Sequence, residues 1–191
     1  MISAKGSKLK TRKPRKRGGR SQSKGISKDQ VAVVVTTDRN SEMGLSRVKI
    51  GRIGKADIEK AIGPRITAGT ILCSDGHVSY KGFAIDKKLE HHPLRADLKE
   101  YVKNGLYHIQ HVNSIDSRLK RWIGERFLGV STKYLQNYLD WFKAKEKLKH
   151  SNKFLRDFTD KSFQDTKALA RYRMIPAEYK ALMKTTTQFS T

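Results

Sequence analysis

The run QVAVVVTT, residues 30–37, constrains the fold more than any other stretch. β-branched side chains crowd a helical turn but pack well on a pleated surface, so the run reads as a strand. It does not alternate polar and apolar positions, which predicts a strand buried on both faces, inside a sheet rather than at its edge. Turn chemistry follows at TDRNSEMG (37–44), and LSRVKI (45–50) alternates, so the two segments predict a hairpin whose second strand has one buried face.

Further along, KADIEKAIG (55–63) predicts a short helix stopped by Gly63-Pro64. TILCSD (70–75) predicts a buried strand, with a helix beginning directly after it in GHVSYKGFAI (76–85). KLEHHPL (88–94) reads as a short strand ended by Pro93, and residues 95–107 read as a polar connection. Two helices are expected at 109–126 and 131–149, with Ser131 as N-cap of the second. The second carries Tyr134, Leu135, Tyr138, Leu139, Trp141 and Phe142 on its apolar side. Beyond Lys149 one or two loose helices are expected, broken at Pro176. This order is an α/β layout with a mixed sheet. In such sheets ligands collect beyond the carboxyl ends of strands, where Asp75 stands.

The charge is extreme. The 191 residues carry a formal net charge of +23, which points to a polyanionic partner, nucleic acid before membrane. Residues 1–28 hold eleven Lys and Arg and no acid, and read as a basic disordered arm or insertion. The remainder is still +12, so the folded part is also expected to touch phosphate. No apolar run is long enough to span a bilayer, and the basic N-terminus lacks the apolar core of a signal peptide. The single cysteine, Cys73, excludes an internal disulfide and a CxxC zinc site, and a cytoplasmic setting is expected.

HVNSIDSRLKRW, residues 111–122, divides as a helix at about 100° per residue. Ile115, Leu119, Trp122 and Ile123 fall on one side, and Asn113, Asp116, Ser117 and Lys120 on the other. The polar side is either a solvated face or a site. Asn113 can offer a neutral oxygen to a metal, and Lys120, two turns on, points the same way and can meet a phosphate as a point charge. Asp116 and Glu125 are rival ligands. Asp75 is either a helix cap or a carboxylate fixed at a strand end to hold Mg2+, a hard cation served by few protein oxygens. Cys73 reads as a small buried hydrophobe. His91 and His92 face opposite ways on a strand and cannot share a metal. His108 and His111 stand three residues apart, a zinc-compatible spacing that leans towards the apolar side.

Together, RKPRKRGG, KGISKDQVAVVVTTDRN, ILCSDGHVSY and LYHIQHVNSIDSRLKRWIGERFLGVSTKYLQNYLDWF resemble the catalytic domain of bacterial insertion-sequence transposases of the ISXO-like type. The resemblance covers roughly residues 4–145, and its last stretch is the most specific. It implies a ribonuclease H-like mixed sheet flanked by helices and a DDE-type enzyme in which two Mg2+ (or Mn2+) ions serve phosphodiester cleavage and strand transfer. By motif, Asp75 of SDG is the second metal-binding position, Asn113 of HVN the third, and Lys120 of SRLK the lysine two turns later. DNA contacts are expected from Lys13, Arg15, Lys16 and Arg17 of the basic segment and from Lys120 and Arg121. Element ends and target DNA are the implied partners, in a homo-oligomeric transposition complex.

The family's first Asp lies on a strand just upstream of the basic segment. Here only four residues precede Lys5-Gly6-Ser7, and no acid occurs before Asp29. Asp29 and Asp38 fall at other motif positions. The chain therefore reads as N-terminally truncated, without the first strand of its sheet and inactive alone. The expected organisation is the arm (1–28), an incomplete catalytic domain (29–150) and a C-terminal helical tail (151–191). The alternative is a non-catalytic basic nucleic-acid-binding protein.

Overall fold

In a computed structural model of the protein, residues 30–95, 98–127, 129–164 and 167–187 are described. Strands β1 (Val31–Thr37) and β2 (Met43–Ile50) form an antiparallel hairpin, with a register shift between Ala32 and Val33. Its turn is closed by Asp38, whose carboxylate accepts the Glu42 N–H at 2.8 Å. Helix α1 (Lys55–Ile62) follows, its first turn held by the Asp57 carboxylate, which accepts the Gly54 N–H at 2.7 Å. Gly63-Pro64 does not end the turn at once. The chain tightens into a 3-10 turn, Gly63–Arg65, because proline at its start needs no N–H donor.

Strand β3 (Ile71–Ser74), helix α2 (Val78–Asp86) and strand β4 (Glu90–Pro93) make a βαβ unit with the strands parallel. The connection predicted at 95–107 holds a small antiparallel ladder, β5 (Val102–Lys103) with β6 (Tyr107–His108). Helix α3 (Gln110–Phe127) follows, then a 3-10 turn (Thr132–Tyr134) running into α4 (Leu135–Leu148), and finally α5 (Phe154–Gln164) and α6 (Ala168–Thr187). Ser131 precedes the 3-10 turn in extended conformation, but its side chain makes no capping hydrogen bond.

The run at 31–37 is explained by helices on both of its sides. Val31, Val33 and Val35 pack against Leu45, Ile115, Leu119, Leu135, Leu139 and Phe142, the core built with α3 and α4. Val34 faces the other way, into a second core with Ile58, Ile62 and Phe83 from α1 and α2 and with Leu72 from β3. Of β1, only Val34 is fully buried, and the strand pairs with β2 alone among the described residues. The expectation of an interior strand is thus corrected in degree: both faces are covered, but ladder partners are seen on one side. The described strands form three two-stranded sheets, so the described residues make a mixed α/β fold of six α-helices and small sheets.

Pro176 lies inside α6 and does not break it. Proline in a helix interior costs about 3 kcal/mol. Burial of Ile175 and Leu182, and contact of α6 with β2, offset that cost. No helix among the described residues is long and apolar enough to cross a membrane.

Candidate active site

Asp75 follows the last residue of β3 directly. Gly76 then turns with φ of +79°, a conformation that disfavours side chains. A Cβ placed there would meet Arg95 Cγ at 3.4 Å and Pro93 Cβ at 3.7 Å, so the turn also lies close against the end of β4. Asp75 is not the cap of α2. His77 is, its Nδ1 accepting the Ser79 N–H at 3.3 Å. Asp75 Oδ1 accepts the His77 N–H at 3.2 Å, which leaves Oδ2 without a hydrogen-bond partner among the described residues. The carboxylate is solvent-exposed. Burial, reinforced by the Asp75 charge, pushes the Tyr80 phenol up to about 12, so the group beside Asp75 stays neutral.

Beneath Asp75 the two parallel strands are tied. Ser74 Oγ lies 2.9 Å from His91 Nε2 and accepts the Gly76 N–H at 3.3 Å. Burial, helped by His92 and Lys103, holds the His91 pKa below its ordinary value, which suits a neutral ring whose Nε2 accepts a hydrogen bond from the Ser74 hydroxyl. His92 points to the other face, as strand alternation requires. Its ring stacks on Tyr107 at 3.8 Å and 15°, joining β4 to the segment that leads into α3.

α3 divides as its sequence predicts. Ile115 and Leu119 are buried, Trp122 and Ile123 half-buried, and Asn113, Ser117 and Lys120 exposed. Asn113 sits in the first turn, its N–H bonded to Ile109 O at 3.0 Å, and its carboxamide has no partner among the described residues. Lys120 has one: its Nζ donates to Asp116 Oδ2 at 2.6 Å. Asp116 is therefore occupied by a lysine, and Glu125 is exposed on a later turn. Arg121 is exposed beside Lys120. Lys13, Arg15, Lys16 and Arg17 lie outside the described residues.

Asp75 and Asn113 offer oxygen donors only, and both donors are exposed, which is the chemistry a hard cation such as Mg2+ takes. Among the described residues no group of three His, Cys, Asp or Glu comes together. His108 and His111 meet edge-on with ring centres 5.2 Å apart, an aromatic contact between β6 and α3. Cys73 is half-buried, and burial raises its thiol pKa, which disfavours the thiolate.

The ISXO2-like transposase domain matches residues 3–146, which takes in the basic segment, β1 through α3 and all but the end of α4. The chain belongs to this transposase family. No curated protein and no solved structure matches it. Membership makes this an insertion-sequence transposase domain of the DDE type, an enzyme class that acts on DNA, and it disfavours the reading as a mere basic binding protein. The match ends at residue 146, so α5 and α6 fall outside it. Sequence reasoning did not find the Ser74–His91 tie or the His77 cap. The SDGH spacing offered only the position of Asp75.

Proposed function

We propose that the chain is the catalytic domain of a transposase that cleaves and joins phosphodiesters, with Asp75 and Asn113 holding divalent metal and Lys120 at a phosphate. The observation that carries this reading is an exposed carboxylate directly after β3 of the βαβ unit, in a chain whose transposase-family match spans residues 3–146. Two Mg2+ or Mn2+ ions, when bound, supply charge for the attacking and leaving oxygens of an in-line displacement. The chain's own residues position that charge. Gly76 turns the backbone so that Asp75 leaves one oxygen free, and the first turn of α3 presents the Asn113 carboxamide. The exposed pair of Lys120 with Asp116 is weak enough to exchange for DNA phosphate. Lys13, Arg15, Lys16, Arg17 and Arg121 add phosphate contacts that hold the duplex.

We propose that the chain binds duplex DNA and divalent metal through these residues. The test combines two readouts. Titration with Mn2+ in the presence of duplex DNA, followed by the electron spin resonance of the free ion, should show binding that Asp75→Asn and Asn113→Leu each weaken. Electrophoretic retardation of a labelled duplex measures DNA binding in the same buffer. Mn2+ binding unchanged in both variants refutes the ligand assignment, and failure of the wild-type chain to retard the duplex refutes the DNA reading.

A further inference from the structure

The apolar side predicted for α4 is only half used by the core. Leu135, Leu139 and Phe142 are buried, but Trp141 is 45% exposed and Tyr138 is only partly covered. These outer rings join α3 across a chain of aromatic contacts. Trp122 meets Trp141 at 5.3 Å and 89°, and Phe127 meets Tyr138 at 4.9 Å and 71° and Trp141 at 5.5 Å. Trp122 also touches buried Phe142 at 5.5 Å, so the cluster is anchored in the core and rigid at its base. Outside it lies a shallow concavity of about 330 Å3, lined by Tyr134, Asn137, Tyr138 and Trp141.

We infer that this aromatic concavity is a stacking platform for an unpaired base of single-stranded DNA. The inference rests on the DNA reading above. Three observations favour this occupant. First, the lining is three flat rings and one amide. Rings stack on the face of any base, and the exposed Asn137 carboxamide can both donate to and accept from a base edge. Second, a cation stands at the rim, where a phosphate next to a stacked base would lie: Lys133 Nζ is 5.2 Å from the Tyr134 ring centre, and α3 carries the further exposed cations Arg121 and Arg126. Asp140 keeps its charge while accepting from the neutral Gln136 Nε2 at 3.0 Å, so the attraction for phosphate comes from the excess of +12 that residues 29–191 carry. Third, a patch of four residues is far below the roughly 20–30 per side of a stable protein interface, which disfavours a second copy as the occupant.

The test uses the whole chain, whose two tryptophans are both in the cluster. Tryptophan emission and anisotropy are followed as a thymine-only single strand, or a blunt duplex of equal length, is added at fixed salt. The single strand should quench emission. Trp141→Ala should lower single-strand affinity about tenfold and duplex affinity less than twofold, while Trp141→Phe retains most of the single-strand affinity. Circular dichroism of each variant checks folding, and Asn137→Ala serves as a second, milder variant, with a smaller loss expected. If Trp141→Ala leaves single-strand affinity within twofold, or lowers both affinities equally, the platform is refuted. A change of oligomeric state in Trp141→Ala without DNA also refutes it and makes the patch an interface between copies. If the wild-type chain binds neither DNA, the reading as a DNA-acting domain fails as well.

Discussion

Lys120 Nζ donates to Asp116 Oδ2 at 2.6 Å across one turn of α3, with the lysine side chain 76% exposed. An exposed pair of this spacing contributes only about 0.3–0.5 kcal/mol, so it organises the lysine without trapping it. Lys120→Ala should therefore change thermal stability very little. It should weaken duplex binding and reduce the slope of log K against log salt by about one, as loss of one phosphate contact does. Asp116→Asn frees the lysine and removes a negative charge, so it should strengthen binding. Anisotropy titrations at several salt concentrations measure both. An unchanged slope in Lys120→Ala would remove this lysine from the DNA contact.

The turn after β3 is tested at Gly76. Its φ of +79° makes any side chain costly, although a Cβ would meet Arg95 and Pro93 only at ordinary contact distance. Gly76→Ala should destabilise the chain by about 1 kcal/mol or more, a fall of roughly 2–4 °C in Tm for a chain of this size. It should also weaken Mn2+ binding, because the same turn orients Asp75. Differential scanning calorimetry and the spin-resonance titration separate the two effects.

The elements most legible in the sequence were those whose pattern reports their own environment. The run at 31–37 lacks alternation because α3 and α4 cover one face and α1 and α2 the other. The split of α3 was readable because Ile115 and Leu119 recur at helical spacing and meet a core. What pattern could not give was set by distant partners. Tyr138 and Trp141 look like core residues by spacing, yet their rings stay at the surface against Trp122 and Phe127. Pro176 reads as a stop, and only burial of Ile175 and Leu182 explains the unbroken helix. β5 and β6 are two residues each, too short to show a period. At the site, motif and strand end located Asp75, but the His77 cap and the Ser74–His91 tie depend on side chains that no spacing reveals.

That tie gives a pH dependence. Burial lowers the His91 pKa in the fold, so near and below the ordinary histidine value the unfolded chain binds the proton more readily. Stability from this group is present above about pH 6.5 and is lost as pH falls through the folded value. Urea midpoints should fall from pH 7 towards pH 5, and His91→Gln, which has no such proton to take up, should flatten part of that slope. Equal slopes in both proteins would mean that His91 is not the group responsible. At the alkaline end Tyr80 acts in the opposite sense. Its folded pKa of about 12 lies above the unfolded value near 10, so stability is lost as pH rises from 10 to 12, and Tyr80→Phe should remove that loss.

Arg47 and Gln136 tie α4 and the turn before it to the hairpin, and Glu178 brings α6 to the same arginine. Arg47 of β2 is 7% exposed at its side chain and donates through Nη1 to the carbonyls of Thr132 and Lys133, each at 3.0 Å. Its backbone N–H donates to Gln136 Oε1 at 2.9 Å, while Gln136 Nε2 donates to Leu45 O at 3.0 Å, so one glutamine clips two strand positions. Glu178 of α6 stands 3.7 Å from Nη2 but is half exposed. Arg47→Met keeps the apolar stem and strips donors from two carbonyls, so it should cost about 2–3 kcal/mol. Glu178→Gln should cost under about 1 kcal/mol, because the pair is long and partly solvated. Guanidinium unfolding curves distinguish the two. Similar losses in both variants would mean that the ion pair, not the carbonyl clamp, holds the helices.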